Sequence, residues 1–188
     1  MGGSPRASSS GIRATFVSAQ SDCPGTINEE DFATIAYTKA GSRKWVARYN
    51  GGGADLPRAL AAKPDGDTVY VTGPSCQSSC DYATVAYDGA TGALRWLQRY
   101  DGGQDDEPTS IAMNPDGTTV FVTGFSTSVN FDFYTIAYDA ATGSVQWWSR
   151  YGPGTAWSIA ASSSTAYVSG TTDSTDGVAE FTTVAYVA

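Results

Sequence analysis

Short runs of apolar and β-branched residues alternate with turn residues along the chain, and the same runs return about every fifty residues. The segments DFATIAY (31–37), DYATVAY (81–87), DFYTIAY (132–138) and EFTTVAY (180–186) share one pattern, and their final tyrosines lie 50, 51 and 48 residues apart. Each run is short and is bounded by Gly, Asp, Pro or Ser, which is typical of β-strands. No window of about eleven residues keeps a 3.6-residue apolar period. The pattern therefore predicts strands and no helix.

Three more strings repeat with the same period. One comprises KWVARY (44–49), RWLQRY (95–100) and QWWSRY (146–151); another comprises DTVYVTG (67–73), TTVFVTG (118–124) and TAYVSG (165–170), with ATFVSAQ (14–20) as a diverged copy. The third comprises RALAAKPDG (58–66), TSIAMNPDG (109–117) and WSIAASSS (157–164). Each period thus holds four antiparallel strands, A to D. Four-stranded units of 40 to 50 residues are typical of the blades of a β-propeller.

The turn between strands C and D carries the most regular motif. AYDGATGALRW (86–96) and AYDAATGSVQW (137–147) share the frame A-x-D-x-x-T-G-x-x-x-W. Asp88 and Thr91 can hydrogen-bond the turn backbone, Gly92 can adopt a positive φ, and Trp96 is predicted to pack against a neighbouring blade. The first copy has Thr38 in place of the aspartate and is one residue shorter. A turn tolerates such changes better than a catalytic site does, so we interpret the motif as structural.

This frame is similar to the tryptophan-docking motif of quinoprotein dehydrogenases, and PDGTTVFVTG (115–124) resembles the YVTN type of bacterial surface propeller. The combination resembles bacterial PQQ-like or WD40-like repeat proteins, which are usually exported. The resemblance extends from about residue 12 onward and implies an all-β propeller fold. In quinoproteins the docking tryptophans are structural, and the chemistry comes from PQQ held by Ca²⁺. The residues that would carry that chemistry have no identifiable counterpart in this sequence.

The amino-acid composition excludes several classes of function for this protein. The formal net charge of −8 argues against a nucleic-acid partner, which requires clustered Lys and Arg. No apolar run is long enough to cross a membrane as a helix, and MGGSPRASSSG at the start lacks the apolar core of a signal peptide. The absence of histidine excludes Ser-His-Asp and Cys-His catalysis and makes a zinc site improbable. The spacing of Cys76 and Cys80 allows a small disulfide loop, which leaves Cys23 over.

The number of blades is the open question of the fold. Residues 1–11 are predicted to be a flexible or degenerate first strand, followed by units at about 12–50, 57–101, 108–151 and 155–188. The last unit contains strands A to C only, so the count is 3.5 to 4 blades. Three arrangements are consistent with it: a segment of a longer propeller, two copies that complete one ring of seven or eight blades, or a closed four-bladed monomer. In each case we expect the final strand to be covered by the N-terminal segment of the same chain or of a second copy.

Charge is distributed unevenly between the two faces that this topology predicts. The B–C and D–A connections form one face, which we call the loop face, and it holds fourteen of the nineteen acids of the chain. They are Asp22, Glu29, Glu30, Asp31, Asp55, Asp81, Asp101, Asp105, Asp106, Glu107, Asp132, Asp173, Asp176 and Glu180. Variable loops on a regular scaffold commonly bind ligands. We predict ligand-binding residues among Asp101, Asp105, Asp106, Glu107, Glu29, Glu30 and Glu180.

The acids allow several interpretations. They can serve solubility and turn capping alone, DGGQDDE (101–107) can supply oxygen ligands to Ca²⁺, or paired carboxylates can support hydrolysis. We predict a non-catalytic scaffold or binding module of an exported or cell-surface protein, which binds a small ligand, a cation or a protein partner on its acidic loop face. No cofactor is predicted apart from the Ca²⁺ alternative. A fragment of a quinoprotein-like or hydrolytic enzyme is the alternative function.

Two structural expectations complete the sequence-based account. Each complete unit has an acid at the start of strand C and an arginine near the end of strand D, and we predict structural pairs between them. The pairs are Asp31 with Arg48, Asp81 with Arg99 and Asp132 with Arg150, which leaves Glu180 without a partner strand. In the first unit, a register in which Tyr37 faces Lys44 and Ala33 faces Arg48 would place Asp31 and Arg48 on one side of the sheet. Trp148 and Trp157 depart from the repeat, and both are expected to pack in the core.

Overall fold

The computed structural model describes residues 7–10, 15–22, 30–127, 131–173 and 178–187, with side chains described at 15–19 and from residue 30 onward within those ranges. Cys23, Glu29 and Asp176 lie outside the described residues, as does the side chain of Asp22. The strands are β1 (Ala7–Ser10), β2 (Thr15–Asp22), β3 (Glu30–Tyr37), β4 (Arg43–Tyr49), β5 (Ala54–Asp55), β6 (Ala59–Ala62), β7 (Thr68–Cys76), β8 (Cys80–Asp88), β9 (Leu94–Tyr100), β10 (Asp106–Met113), β11 (Thr119–Ser126), β12 (Asp132–Asp139), β13 (Val145–Tyr151), β14 (Gly154–Ala161), β15 (Thr165–Asp173) and β16 (Ala179–Val187). Every assigned element in these ranges is a strand, and no described helix could span a membrane.

The strands form four antiparallel sheets that follow the predicted repeat. Blade 1 is β1-β2-β3-β4, blade 3 is β10-β11-β12-β13, and blade 4 is β14-β15-β16. In blade 2 the innermost strand is split into β5 and β6, and both pieces pair with β7, which continues to β8 and β9. The first strand of blade 1 comes from the N-terminal segment, because Ala7 to Ser10 pair with residues 15–18.

The core of the protein lies between the blades. Alternating strand residues point toward the neighbouring sheet, and they form one buried apolar cluster at each of the three junctions between successive blades. Large buried side chains fill these clusters, including Phe16 and Phe32 at the first junction, Tyr70 and Tyr138 at the second and Phe133 at the third. Blades therefore stack face to face through aromatic and β-branched side chains, as the composition of the repeats predicts.

Two tryptophans connect successive blades through the C–D turns. The indole N–H of Trp45 in blade 1 donates to the carbonyl of Gly89 in blade 2 at 3.1 Å, and Trp96 donates to Ala140 in blade 3 at 3.1 Å. The indole of Trp45 lies against Gly92, where an added Cβ would come within 2.8 Å of the ring. The packing of Trp96 against a neighbouring blade is thus confirmed.

The glycine of this turn has two separate requirements. Gly92 and Gly143 have φ values of 77° and 74°, which favour glycine, and each also lies beneath a docked indole. Gly41 occupies the same place in blade 1 with φ 80°, but no described atom lies within 4 Å of the position of its Cβ. In the blade 2 copy of the turn, the carboxylate of Asp88 accepts hydrogen bonds from the N–H groups of Ala90 and Thr91, as predicted for a structural turn.

In the part of the chain that the structure describes, the four blades form an open arc and not a closed ring. Among the described residues, no core cluster joins blade 4 to blade 1. The β16 strand pairs with β15 alone, and its Phe181 and Val187 are exposed. The expectation that the N-terminal segment of the same chain covers β16 is wrong, because β1 is the inner strand of blade 1. Pairing of β16 with a second copy stays a prediction.

The expectation for the two additional tryptophans is also wrong. Trp148 and Trp157 are 61% and 55% exposed, so neither belongs to the core. Trp148 lies on the outermost strand of blade 3 and stacks on Tyr134 with a centroid distance of 5.5 Å. Trp157 lies on the innermost strand of blade 4 and points into a groove described below.

Candidate functional site

The loop face is the edge of the sheets at which β8, β12 and β16 begin and at which β9 and β13 end. The inner strands β5, β10 and β14 also begin there, so residues from neighbouring blades meet at this edge near the centre of the arc. Two groups of side chains converge on this face. One is a groove along the inner strands, and the other is a set of carboxylates at the junction between blades 2 and 3.

The groove is built from irregularities that recur in three inner strands. The pairing register of β10 shifts between Pro108 and Ser110, and that of β14 shifts between Ala156 and Ser158. These shifts leave Thr109 and Trp157 as bulged residues. Arg58 lies at the same place in blade 2, in the break between β5 and β6. Bulges redirect side chains and are common beside binding sites. Three successive blades therefore direct the equivalent residue toward one groove.

The groove combines a charged pair with two aromatic surfaces. Its volume is about 360 Å³, and it is lined by Arg58, Glu107, Thr109, Phe125 and Trp157. The guanidinium of Arg58 donates to the carboxylate of Glu107 at 3.1 Å, and both side chains are about one-third exposed. The indole N–H of Trp157 donates to the Thr171 hydroxyl at 3.2 Å, which holds the ring while more than half of its surface remains accessible.

The second group consists of Asp81, Asp101 and Asp106. One carboxylate oxygen of each lies within 4.8 Å of those of the other two. Asp106, at the start of β10, is fully buried, and its Oδ2 accepts the N–H of Gly102 at 2.5 Å. Asp81, at the start of strand C in blade 2, is largely buried, whereas Asp101 in the D–A connection is exposed. The cluster is therefore open to solvent on the side of Asp101.

The environment of Asp106 disfavours its charged form. Burial raises the pKa of this carboxyl, hydrogen bonds from Ser126 and Gly102 lower it, and the neighbouring carboxylates of Asp81 and Asp101 raise it, with a net increase. The buried Oδ1 of Asp106 has no hydrogen-bond partner among the described residues, and the same holds for the Oδ1 of Asp81. The other oxygen of Asp81 accepts from Arg99 at 2.7 Å.

The junction between blades 1 and 2 repeats this arrangement with one difference. Asp55 is fully buried at the place of Asp106, and the pKa of its carboxyl is likewise raised by burial. Asn50 occupies the place of Asp101, and its Oδ1 accepts the N–H of Gly52 at 2.8 Å. The Oδ1 of Asp101 accepts the N–H of Gly103 at 2.7 Å in the equivalent turn. The two junctions thus share this turn hydrogen bond, and Asn50 provides no charge where Asp101 provides one.

The other predicted site residues lie apart from the carboxylate cluster. Asp105 accepts the N–H of Cys80 at 3.0 Å, and Glu107 is paired with Arg58 in the groove. Glu30 lies at the start of β3, and Glu180 lies near the start of β16 on the exposed edge of blade 4. Glu29 is outside the described residues. The structure therefore brings the carboxylates of Asp101 and Asp106 together, whereas the side chains of Asp105 and Glu107 bond other partners.

The predicted acid–arginine pairs are present in blades 2 and 3. Arg99 contacts Asp81 at 2.7 Å, and Arg150 forms an ion pair with Asp132. In blade 1 the predicted register is confirmed where Ala33 faces Arg48, and it is wrong at the turn end of the hairpin, where Tyr37 faces Arg43. Arg99 also donates to the hydroxyls of Tyr49 in blade 1 and Ser75 in blade 2, at 3.1 and 2.9 Å. This arginine therefore connects two blades, which the hairpin register alone does not predict.

The disulfide that the cysteine spacing allows is present between Cys76 and Cys80, at the hairpin that joins β7 to β8. Its hairpin lies beside the carboxylate cluster, because Cys80 directly precedes Asp81. Sequence analysis missed Arg58, Thr109 and Trp157 as groove residues, and it did not single out Asp81 as a neighbour of Asp101. The signal for the groove was the first residue of the strings RALAA, TSIAM and WSIAA, which changes its chemical type in each repeat.

The fold can now be compared with solved structures. The WD40 repeats of RRP9 align with a TM-score of 0.66 at 13% identity, covering 99% of this chain and 52% of that chain. The β-propeller domain of the Trilobed protease from Pyrococcus furiosus aligns with a TM-score of 0.62 at 8% identity, covering 98% and 54%. This chain has a β-propeller fold. It contains about 3.5 to 4 blades and spans about half the length of these two structures.

Enzymes are also among the similar structures. A quinohemoprotein alcohol dehydrogenase from Comamonas testosteroni aligns with a TM-score of 0.61 at 19% identity, covering 89% of this chain and 29% of that chain. No protein-family model and no curated protein matches the sequence. At these identities the similarity establishes the propeller architecture, and it does not assign an activity.

Proposed function

We propose that this propeller is a non-catalytic binding module that holds a polar ligand in the groove of the loop face. The observation that carries the proposal is the convergence of three bulged inner-strand residues, Arg58, Thr109 and Trp157, from three successive blades. Repeats that are otherwise regular differ at this position, and the differing side chains share one groove. Variation placed on a regular scaffold is typical of a recognition surface.

The chemistry of the groove favours a ligand with a flat apolar face and several hydroxyl groups, such as a sugar ring. An accessible indole like that of Trp157 provides a surface on which such a face can stack. The Arg58–Glu107 pair provides a charged donor and a charged acceptor side by side, and both remain partly accessible. A carboxylate and a guanidinium can bond adjacent hydroxyls more strongly than neutral groups do.

The similar structures include both WD40 repeats and enzymes, so the comparisons do not choose between a binding module and an enzyme. The groove itself favours binding. Glu107 is the one carboxylate among the described residues that line the groove, whereas glycoside hydrolysis commonly uses a pair of carboxylates. The enzymatic alternative predicts cofactor absorbance after reconstitution with PQQ and Ca²⁺, or turnover of a glycoside.

The proposal is tested by calorimetric titration of a panel of neutral and acidic oligosaccharides into the protein. We expect at least one to bind, and we expect Trp157→Ala to abolish that binding. Trp148→Ala is the matched control, because Trp148 is similarly exposed but lies on an outer strand. Equal binding by the two variants, or the absence of binding by any member of the panel, would refute the groove as the site.

Two further proposals concern the setting of the protein. The disulfide between Cys76 and Cys80 supports an exported or cell-surface location, because such bonds persist in oxidising compartments. The exposed edge of β16 supports a strand from a second copy as its partner, since an unpaired edge offers free N–H and C=O groups. A molar mass of about twice 19.6 kDa by light scattering is the expected result for such a pair.

A further inference from the structure

We propose that the junction between blades 2 and 3 is a Ca²⁺ site held by Asp81, Asp101 and Asp106. This site is separate from the sugar-binding groove, and it does not depend on the function proposed for that groove. Its ligands come from two blades, because Asp81 begins strand C of blade 2, whereas Asp101 and Asp106 flank the entry to blade 3. A bound ion would therefore connect adjacent blades.

The spacing of the oxygens suits the ion. Ca²⁺ binds carboxylate oxygens at 2.3–2.6 Å, so two oxygens on opposite sides of one ion lie about 4.6–5.2 Å apart. One oxygen of each aspartate lies within 4.8 Å of the others, which places all three inside one coordination sphere. The exposed side of the cluster at Asp101 leaves room for the water ligands that complete six to eight positions.

The buried oxygens provide a further indication of a ligand. Asp106 is fully buried, yet its Oδ1 has no hydrogen-bond partner among the described residues. The Oδ1 of Asp81 is also buried without a partner there, although the other oxygen of the same carboxylate is bound by Arg99. A buried carboxylate oxygen without a donor is costly, and a coordinated cation supplies the missing interaction. The Oδ1 of Asp55 at the first junction is also buried without a partner among the described residues, so the third carboxylate, that of Asp101, is what distinguishes the proposed site.

The charges around the cluster favour a cation. The cluster contains three carboxylates, and the guanidinium of Arg99 pairs with one of them, that of Asp81. The repulsion from Asp81 and Asp101 contributes to the unfavourable environment of Asp106. A divalent ion would offset this repulsion.

The chain contains a natural control for the third ligand. At the junction between blades 1 and 2, Asn50 makes the same turn hydrogen bond that Asp101 makes, at 2.8 Å and 2.7 Å. Asparagine is thus compatible with the backbone of this turn. The substitution Asp101→Asn converts the proposed site into the chemistry of the first junction, and Asn50→Asp does the reverse.

The experiment is isothermal titration of Ca²⁺ into the EDTA-treated 188-residue chain at neutral pH, with melting temperature as a second readout. We expect one equivalent to bind and the melting temperature to rise by mass action. Asp101→Asn should weaken the affinity at least tenfold. Asp105→Asn is the charge control, because it removes one negative charge from the same loop while Asp105 contacts Cys80 and not the cluster.

The outcomes are distinct. Loss of binding in Asp101→Asn together with retention in Asp105→Asn supports the site, and a second equivalent in Asn50→Asp supports the role of the third carboxylate. Lack of binding by the parent chain overturns the proposal, as does an equal loss in the two loop variants, which would indicate attraction to a generally acidic surface. The metal-free melting temperature of Asp101→Asn verifies that the variant is folded.

Discussion

The C–D turn provides a quantitative test of how strongly one blade holds the next. We predict that Gly143→Ala destabilises the protein more than Gly41→Ala does, although the two glycines occupy the same place in the repeat and have φ values of 74° and 80°. A side chain in this left-handed conformation costs about 1–2 kcal/mol, and both variants incur that cost. The variants differ in what the new methyl group meets.

At Gly143 the added Cβ would lie 2.7 Å from the ring of Trp96, whose indole is buried and bonded to Ala140. Extra volume in a well-packed region costs about 1–3 kcal/mol. At Gly41 no described atom lies within 4 Å of that Cβ. The free energy of unfolding should therefore fall by about 2–5 kcal/mol in Gly143→Ala and by about 1–2 kcal/mol in Gly41→Ala.

The measurement is urea unfolding of the 188-residue chain followed by circular dichroism, which reports the sheets and not the environment of one indole. Gly92→Ala provides a replicate, because its Cβ would lie 2.8 Å from the ring of Trp45. If all three variants lose the same stability within about 0.5 kcal/mol, the direct contact between indole and glycine does not limit the junction, and the reasoning is wrong.

Three further effects should be measurable by urea unfolding. Because the pKa of Asp106 is raised in the folded state, its protonated form stabilises the metal-free protein fully below about pH 3.8, and this contribution is lost as pH rises through the raised pKa. The parent should therefore lose stability relative to Asp106→Asn between pH 4 and 7. A difference in stability that does not change with pH would contradict this. Reduction of the Cys76–Cys80 disulfide should lower the free energy of unfolding by about 2 kcal/mol, a small loss because the closed loop is short. The double variant Cys76→Ser/Cys80→Ser is the control, because its stability should not respond to reductant. Arg99→Gln should lower the free energy of unfolding by about 1–2 kcal/mol, because Arg99 also bonds two hydroxyls at a junction between blades. Lys63→Gln should lower it by less than about 0.5 kcal/mol, because Lys63 pairs at the surface. Similar losses in the two variants would count against a bridging role of Arg99.

The sequence predicted the strands, their order and much of their register, because each repeat carries its own turn residues and its own alternation of side chains. Ala33 faces Arg48 as predicted, but Tyr37 faces Arg43 and not Lys44. A β-bulge between Ala36 and Tyr37 accounts for the difference. Bulges at the corresponding place in β8 and β12 show that it is a property of the repeat. The hydrophobic pattern does not reveal it, because an extra residue at a strand end moves no core side chain.

The candidate sites were less accessible to sequence reasoning. Asp101 and Asp106 lie in one loop, and their shared role followed from that proximity. Asp81 belongs to the preceding blade, and only the stacking of the sheets brings it near them. Trp157 was expected in the core because aromatic residues at strand positions usually are. A register shift in β14 instead directs it into the groove, which a pattern of residue types does not show.

The docked indoles also bear on how such a chain can arise and lengthen. The first two junctions are made between unlike surfaces, with a strand-D tryptophan on one blade and a turn glycine on the next. Every complete repeat carries both halves, so a duplicated repeat fits between its neighbours without a new interface having to evolve. The side-chain contacts at a junction therefore do not determine how many blades a propeller contains. That number depends on the angle between successive blades and on where the arc meets its own beginning.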